Sequence, residues 1–249
     1  MNILKMSLKE LLALDPADVT RPLTADEIFH MGKLAGAWWE YDYGAAAKGW
    51  VGMHALLKSE LHSDGFFVSK VLLKHSNLRR IIAWQIVGQL HAAEITRPDY
   101  VAGIPDGAKA LGTEVAEIMG APEVWLEKEN GRIVLPVGVP DGARLLLVED
   151  FCTRGTGFTE AILEIKRKSP RAKFVHYNPC ILNRGGLKKI SVDGIGSFQI
   201  LPVVEKKIQD WKPVDCPLCK KGSMPIKPKA TDENWERITT SQFAATALE

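Results

Sequence analysis

The sequence predicts an α/β fold: a mostly parallel sheet flanked by helices. Three observations carry that expectation. From about residue 100 onward, short β-rich runs alternate with helical ones, the pattern of strand–helix–strand units. The run Arg144, Leu145, Leu146, Leu147, Val148 is apolar without alternation, as a strand covered on both faces must be. The helical stretches repeat apolar residues at spacings of three and four.

The elements follow in order. The first fifty residues read as helical. Thr24-Ala25-Asp26-Glu27 is a capping box, so a helix starts near Ala25, with Ile28, Met31, Leu34, Ala35 and Trp38 on its buried face. A second helix is expected over 77–95 and a strand over 100–104. A helix over 108–119 ends at Gly120. Residues 124–126 read as a short strand and 144–148 as the buried one. Residues 158–168 read as a helix with a basic end that suits its dipole. Further strands are expected over 173–182 and 197–201. From Lys212 the periodicity fades and Pro, Lys and Gly accumulate, which predicts an extended wrap or partly ordered appendage. The chain thus divides into a helical segment (1–56), an α/β domain (57–211) and a tail (212–249) carrying a CxxC pair. Leu248-Glu249 reads as a cloning remnant.

Composition narrows the function. The chain has 249 residues, 46% hydrophobic and 25% charged, enough for a sizeable core. Thirty-two Lys and Arg against thirty Asp and Glu leave a net charge of +2, which argues against a general nucleic-acid or membrane-surface binder. An anion site must therefore be built locally. No apolar run reaches the roughly 20 residues of a membrane span, and the first fifteen residues do not read as a secretory signal. Four cysteines are too few for a disulfide scaffold, so a reducing, cytoplasmic setting is expected.

The segment from Leu145 to Glu160 carries the chemistry. A buried strand leads into two adjacent acids, Glu149 and Asp150. Then come Thr153-Arg154-Gly155-Thr156-Gly157 and a helix. In a parallel sheet, ligands bind at the carboxyl ends of strands. Gly155 and Gly157 let successive N–H groups converge on an anion, the helix start adds its dipole, and Thr153 and Thr156 add hydroxyls. The result is a phosphate cradle. The acids repel phosphate, so their partners are hydroxyl groups or a bridging metal ion. A phosphate beside a diol describes a ribose 5-phosphate, and hard carboxylates with phosphates suit Mg²⁺.

Strand, paired acids and Thr-x-Gly-Thr resemble the signature of the type I phosphoribosyltransferases, which bind 5-phosphoribosyl-1-pyrophosphate (PRPP). The resemblance implies that family's fold. It also implies that Glu149 and Asp150 hold the ribose hydroxyls and that Thr153, Arg154, Gly155, Thr156 and Gly157 hold the 5-phosphate. Other segments resemble the orotate branch. Leu61 to Phe67 looks like its Ser-Gly hairpin near the base, which brings in His62 and Phe67. Pro105, Asp106, Gly107 and Ala108 look like its pyrophosphate loop. Lys128-Glu129 looks like the start of its catalytic loop, here short, with Arg132 as a further cation. Asn183-Arg184 resembles its Asp-Arg pair, whose Arg meets the substrate carboxylate.

The resemblance runs from about Leu57 to Val204 and implies transfer of phosphoribosyl from PRPP to orotate, with Mg²⁺ and a homodimer. Two alternatives stay open: another nucleobase, or a PRPP-sensing regulator without turnover.

Two further groups stand apart from this chemistry. Cys216-x-x-Cys219 is half of a tetrahedral site and suggests a structural Zn²⁺. Cys152, His176, Cys180 or a second chain would supply the other half; otherwise the pair is reduced and packed. Trp38, Trp39, Tyr41, Tyr43 and Trp50 read as packing residues against the sheet or a partner subunit, or as a base-stacking platform. His54, His75 and His91 carry no partner spacing.

Overall fold

The structure is a computed structural model and describes residues 1–242; Leu248 and Glu249 lie outside the described residues. Its contacts form two compact units. One comprises Met1–Ala35 and Ser69–Lys207; the other comprises Gly36–Val68 and the chain from Ile208.

The first unit holds the main sheet. Its spatial order is Lys189–Val192, Gly196–Glu205, Tyr177–Asn183, Arg144–Cys152, Tyr100–Gly103, with Lys173–Phe174 also paired to Arg144–Cys152. Every pairing is parallel except Lys189–Val192 against Gly196–Glu205, an antiparallel edge. The central strand is fully buried from Leu145 to Val148, which explains its unbroken apolar run. Helices Ser76–Ala92, Lys109–Met119 and Thr156–Lys168 belong to this unit. Phe158, Ala161, Ile162 and Ile165 of the last one join Leu145 and Leu147 in the core. Burying such a side chain is worth roughly 1.5–3 kcal/mol.

Close backbone approach fixes the strand-to-helix turn after Gly103. A methyl group on Gly103 would lie 2.2 Å from the Ala108 carbonyl, and one on Gly112 would lie 2.5 Å from the Gly103 Cα. Gly120 ends the helix in the left-handed region (φ 61), as the sequence predicts. The capping box also forms: Thr24 Oγ1 accepts from the Glu27 N–H, and the Glu27 carboxylate accepts from the Thr24 N–H.

Several expectations need correction. Within the first fifty residues, Trp38–Glu40 is a strand, paired antiparallel with Gly65–Phe67. Residues 124–126 form no strand. Glu123 makes one isolated bridge to Val101, and Pro122 offers a carbonyl but no N–H to extend the ladder. The 173–182 run breaks at Val175 and His176 into Lys173–Phe174 and Tyr177–Asn183.

The tail from Lys212 is folded, with helices Pro217–Lys220 and Asp232–Thr240 and strand Met224–Ile226 in the second unit. Met224–Ile226 pairs parallel with Met53–Leu56. Leu218 and Ile238 are fully buried there with Trp39 and Tyr41. Two of the sequence's aromatic group are therefore core residues of this unit. Among the described residues, no helix is long and apolar enough to cross a membrane.

Candidate active site

The acids sit where the central strand ends. Arg144–Cys152 continues through Glu149 and Asp150, both half-buried. Burial, and then the neighbouring Asp150 charge, push the Glu149 carboxyl well above the usual carboxylate range. A ligand that donates hydroxyl hydrogens, or a cation, favours the ionised form and relieves that cost. Asp150 is held from another direction: the hydroxyl of buried Ser69 donates to its Oδ2. Sequence reading missed Ser69, and no local signal links it to a residue 81 positions away.

Two loops close on these acids. The Ile104 N–H donates to the Val148 carbonyl (2.8 Å), tying the 104–108 loop to the strand just before Glu149. The Pro105–Asp106 peptide in this loop is cis. A methyl group on Gly107 would lie 2.0 Å from Asp150 Oδ2, and one on Gly157 would lie 2.2 Å from Glu149 Oε2. Each glycine therefore lets backbone reach a carboxylate that any side chain would displace.

The helix begins at Thr156, two residues earlier than the sequence suggests, so Thr156 and Gly157 lie in its first turn. Gly155 is its N-cap, in the left-handed region (φ 70). The first N–H groups of an α-helix lack intrahelical acceptors and point outward. Arg154 and Thr156 are exposed beside them.

Arg184 is brought to the same end of the sheet. Leu182 and Asn183 pair with Phe151 and Cys152, and the Arg184 N–H donates to the Cys152 carbonyl (3.0 Å). Its guanidinium lies 5.8 Å from the Phe151 ring centroid, and the residue as a whole is 9% exposed. Gly185 permits this approach, since a methyl group there would meet the Thr153 carbonyl at 2.2 Å. Asn183 is a turn-former: its amide donates to the Leu187 carbonyl and accepts from the Leu187 N–H.

The remaining candidates lie on other elements. Lys128 and Arg132 are exposed on the hairpin Glu127–Glu129 and Arg132–Val134, a two-stranded sheet of its own. Phe67 and His62 belong to the second unit. His62 turns its Nδ1 toward His54 Nε2 (2.9 Å) and Cys219 Sγ (3.3 Å). The expected partners of the Cys216–Cys219 pair are thus corrected. His54 and His62 flank it, while Cys152 and Cys180 lie in the core of the first unit. The signal available was His54 and His62 on either side of a short hairpin turn, which spacing alone leaves mute.

No family model matches the chain. The orotate phosphoribosyltransferase of Wolinella succinogenes is 29% identical over 185 residues, covering 70% of this chain and 88% of the relative. That of Nitratiruptor sp. is 27% identical over 195 residues, covering 74% and 93%. Among solved structures, orotate phosphoribosyltransferase from Aeropyrum pernix matches with a TM-score of 0.52. That match is at 15% identity, over 72% of this chain and 93% of that one. With a strand ending in paired acids and two loops closing on them, the chain resembles the type I phosphoribosyltransferases, a family of transferase enzymes, in fold and in sequence relatives. Its sequence is like the orotate phosphoribosyltransferases of that family named above.

Proposed function

We propose that the chain transfers the 5-phosphoribosyl group from PRPP to orotate, releasing pyrophosphate. The observation that carries this reading is the convergence of three features on one sheet end. They are the acid pair Glu149–Asp150, the glycine-gated loops at Gly107 and Gly157, and the buried cation Arg184.

Each group has a task. Backbone N–H groups from Thr153 to Gly157 bind the 5-phosphate, with the threonine hydroxyls. Glu149 and Asp150 accept hydrogen bonds from the ribose hydroxyls, and Ser69 keeps Asp150 aimed at them. The loop Pro105, Asp106, Gly107, Ala108 faces the pyrophosphate. Lys128 and Arg132 neutralise the departing charge. As an always-charged guanidinium, Arg132 acts there as a clamp and not as a proton donor. Arg184 selects a carboxylated base by a charge-assisted contact; His62 we reassign from the base to the cysteine cluster.

The donor set suits Mg²⁺, whose hard-oxygen preference matches carboxylates with substrate phosphates. Glu149 and Asp150 are the residues that would hold it, and bound there it supplies charge neutralisation for pyrophosphate. A cytoplasmic homodimer, with no nucleic-acid or membrane partner, completes the reading. The small number of cysteines suits the reducing setting, and the near-zero net charge argues against nucleic acid.

The test is pyrophosphate release measured with each component omitted in turn. Release that needs protein, Mg²⁺, PRPP and orotate together supports the reading. Release with a different base alone assigns another base, and PRPP binding without release assigns a sensor.

A further inference from the structure

We propose that His54, His62, Cys216 and Cys219 form a structural Zn²⁺ site that closes the second unit. The inference is independent of the phosphoribosyl chemistry, because none of the four residues belongs to the strand-end group.

The four come from three places in the unit. His54 lies on strand Met53–Leu56 and His62 on strand His62–Ser63, paired antiparallel to it. Cys216 and Cys219 sit at the start of helix Pro217–Lys220. The chain then returns as Met224–Ile226 alongside the His54 strand, with Pro225 opposite His54. One ligand atom from each residue lies within 4.8 Å of all the others. His54 and Cys216 are fully buried, and His62 is 5% exposed.

The separations fit a tetrahedron. Bonds of about 2.0–2.1 Å to nitrogen and 2.3 Å to sulfur place ligand atoms roughly 3.3–3.8 Å apart. Both cysteine sulfurs are 3.6 Å from His54 Nε2, and Cys219 Sγ is 3.3 Å from His62 Nδ1. The two imidazole nitrogens, at 2.9 Å, need to part by only a few tenths of an ångström.

The hydrogen bonds behind His54 set its tautomer. The Ser223 hydroxyl donates its one hydrogen to the Gly52 carbonyl (3.1 Å), so at 2.9 Å it must accept from His54 Nδ1–H. That leaves a lone pair on Nε2, the atom facing both sulfurs. A metal-binding histidine is commonly held this way, by a hydrogen bond to its second nitrogen.

Two thiolates and two neutral imidazoles in a closed tetrahedron select zinc over hard cations. With four protein ligands there is no open position for a catalytic water, so the role is structural. The metal would join the His54–His62 hairpin to the tail, beside Tyr41, Leu218 and Ile238.

The experiment is metal analysis of the full chain purified from zinc-supplemented medium, followed by Co²⁺ exchange. About one zinc per chain is expected. The Co²⁺ form should show tetrahedral d–d bands and a thiolate charge-transfer band. Cys219→Ser and His62→Asn should each lower zinc content by at least about fivefold, while Cys152→Ser keeps it. If these variants fail to fold, the Co²⁺ spectrum of the unmodified chain decides. Zinc below about a tenth per chain with no tetrahedral Co²⁺ spectrum overturns the proposal. So does a Cys216–Cys219 disulfide in the freshly isolated protein, or a Co²⁺ spectrum unchanged in Cys219→Ser.

Discussion

The hydroxyl of Ser69 donates to Asp150, fixing a carboxylate at the end of the central strand from a short helix 81 positions earlier in the chain. Hydrogen bonds to charged groups contribute about 1.5–3 kcal/mol, and this one acts through orientation. Ser69→Ala should therefore lower kcat/KM for PRPP roughly tenfold, mainly by raising KM. Asp150→Asn should lower it further. Steady-state kinetics at varied PRPP check this; an unchanged KM in Ser69→Ala removes the positioning role.

Gly107 and Gly157 should tolerate no side chain. Their methyl groups would stand 2.0 Å and 2.2 Å from the Asp150 and Glu149 oxygens. Gly107→Ala and Gly157→Ala are each expected to weaken PRPP binding by at least about a hundredfold, measured by calorimetry. Gly88→Ala is the control. It lies exposed within helix Ser76–Ala92 with open space around it, so it should stabilise the fold by about 0.5–1 kcal/mol and leave PRPP affinity unchanged.

Arg184→Ala should separate base recognition from PRPP recognition. Losing a buried cation that meets a carboxylate costs about 1.5–3 kcal/mol, or roughly ten- to hundredfold in kcat/KM for orotate. PRPP affinity should move less than about threefold. Arg184→Lys should restore little, because an ammonium lacks the planar fork of donors. Competition between orotate and uracil reads the selectivity.

The acid limb of stability should depend on Glu27. The Arg21 guanidinium, outweighing burial and aided by the Thr24 N–H, holds its carboxyl down to about 2. A depressed carboxylate contributes stability above its unfolded value, near 4.5, and loses that contribution as pH falls toward 2. Glu27→Gln should lower stability by about 1–2 kcal/mol at pH 7 and flatten the decline between pH 4.5 and 2. Urea melts across that range test it.

Legibility followed sequence distance. The Leu145–Asp150 strand, the glycines at 155 and 157 and the Thr24 cap were readable because each depends on neighbours a few residues away. Arg184 was readable only through resemblance, since its place beside Phe151 comes from strand pairing. Ser69 was invisible: a serine at a helix start has many local explanations, and its partner is set by tertiary packing. The second unit was hidden for the same reason. His54 and Cys216 are 162 positions apart, and the weak periodicity after Lys212 gave no hint that Met224–Ile226 pairs with Met53–Leu56. The 124–126 run has β-propensity, but Pro122 lacks the N–H that would extend its single bridge into a ladder.

The most direct measurement follows orotate absorbance in a mixture of the purified protein, Mg²⁺ and PRPP. A PRPP-dependent loss of orotate, matched by pyrophosphate release and abolished by Asp150→Asn, is the result this account predicts. Unchanged orotate in a sample shown to bind PRPP would contradict it.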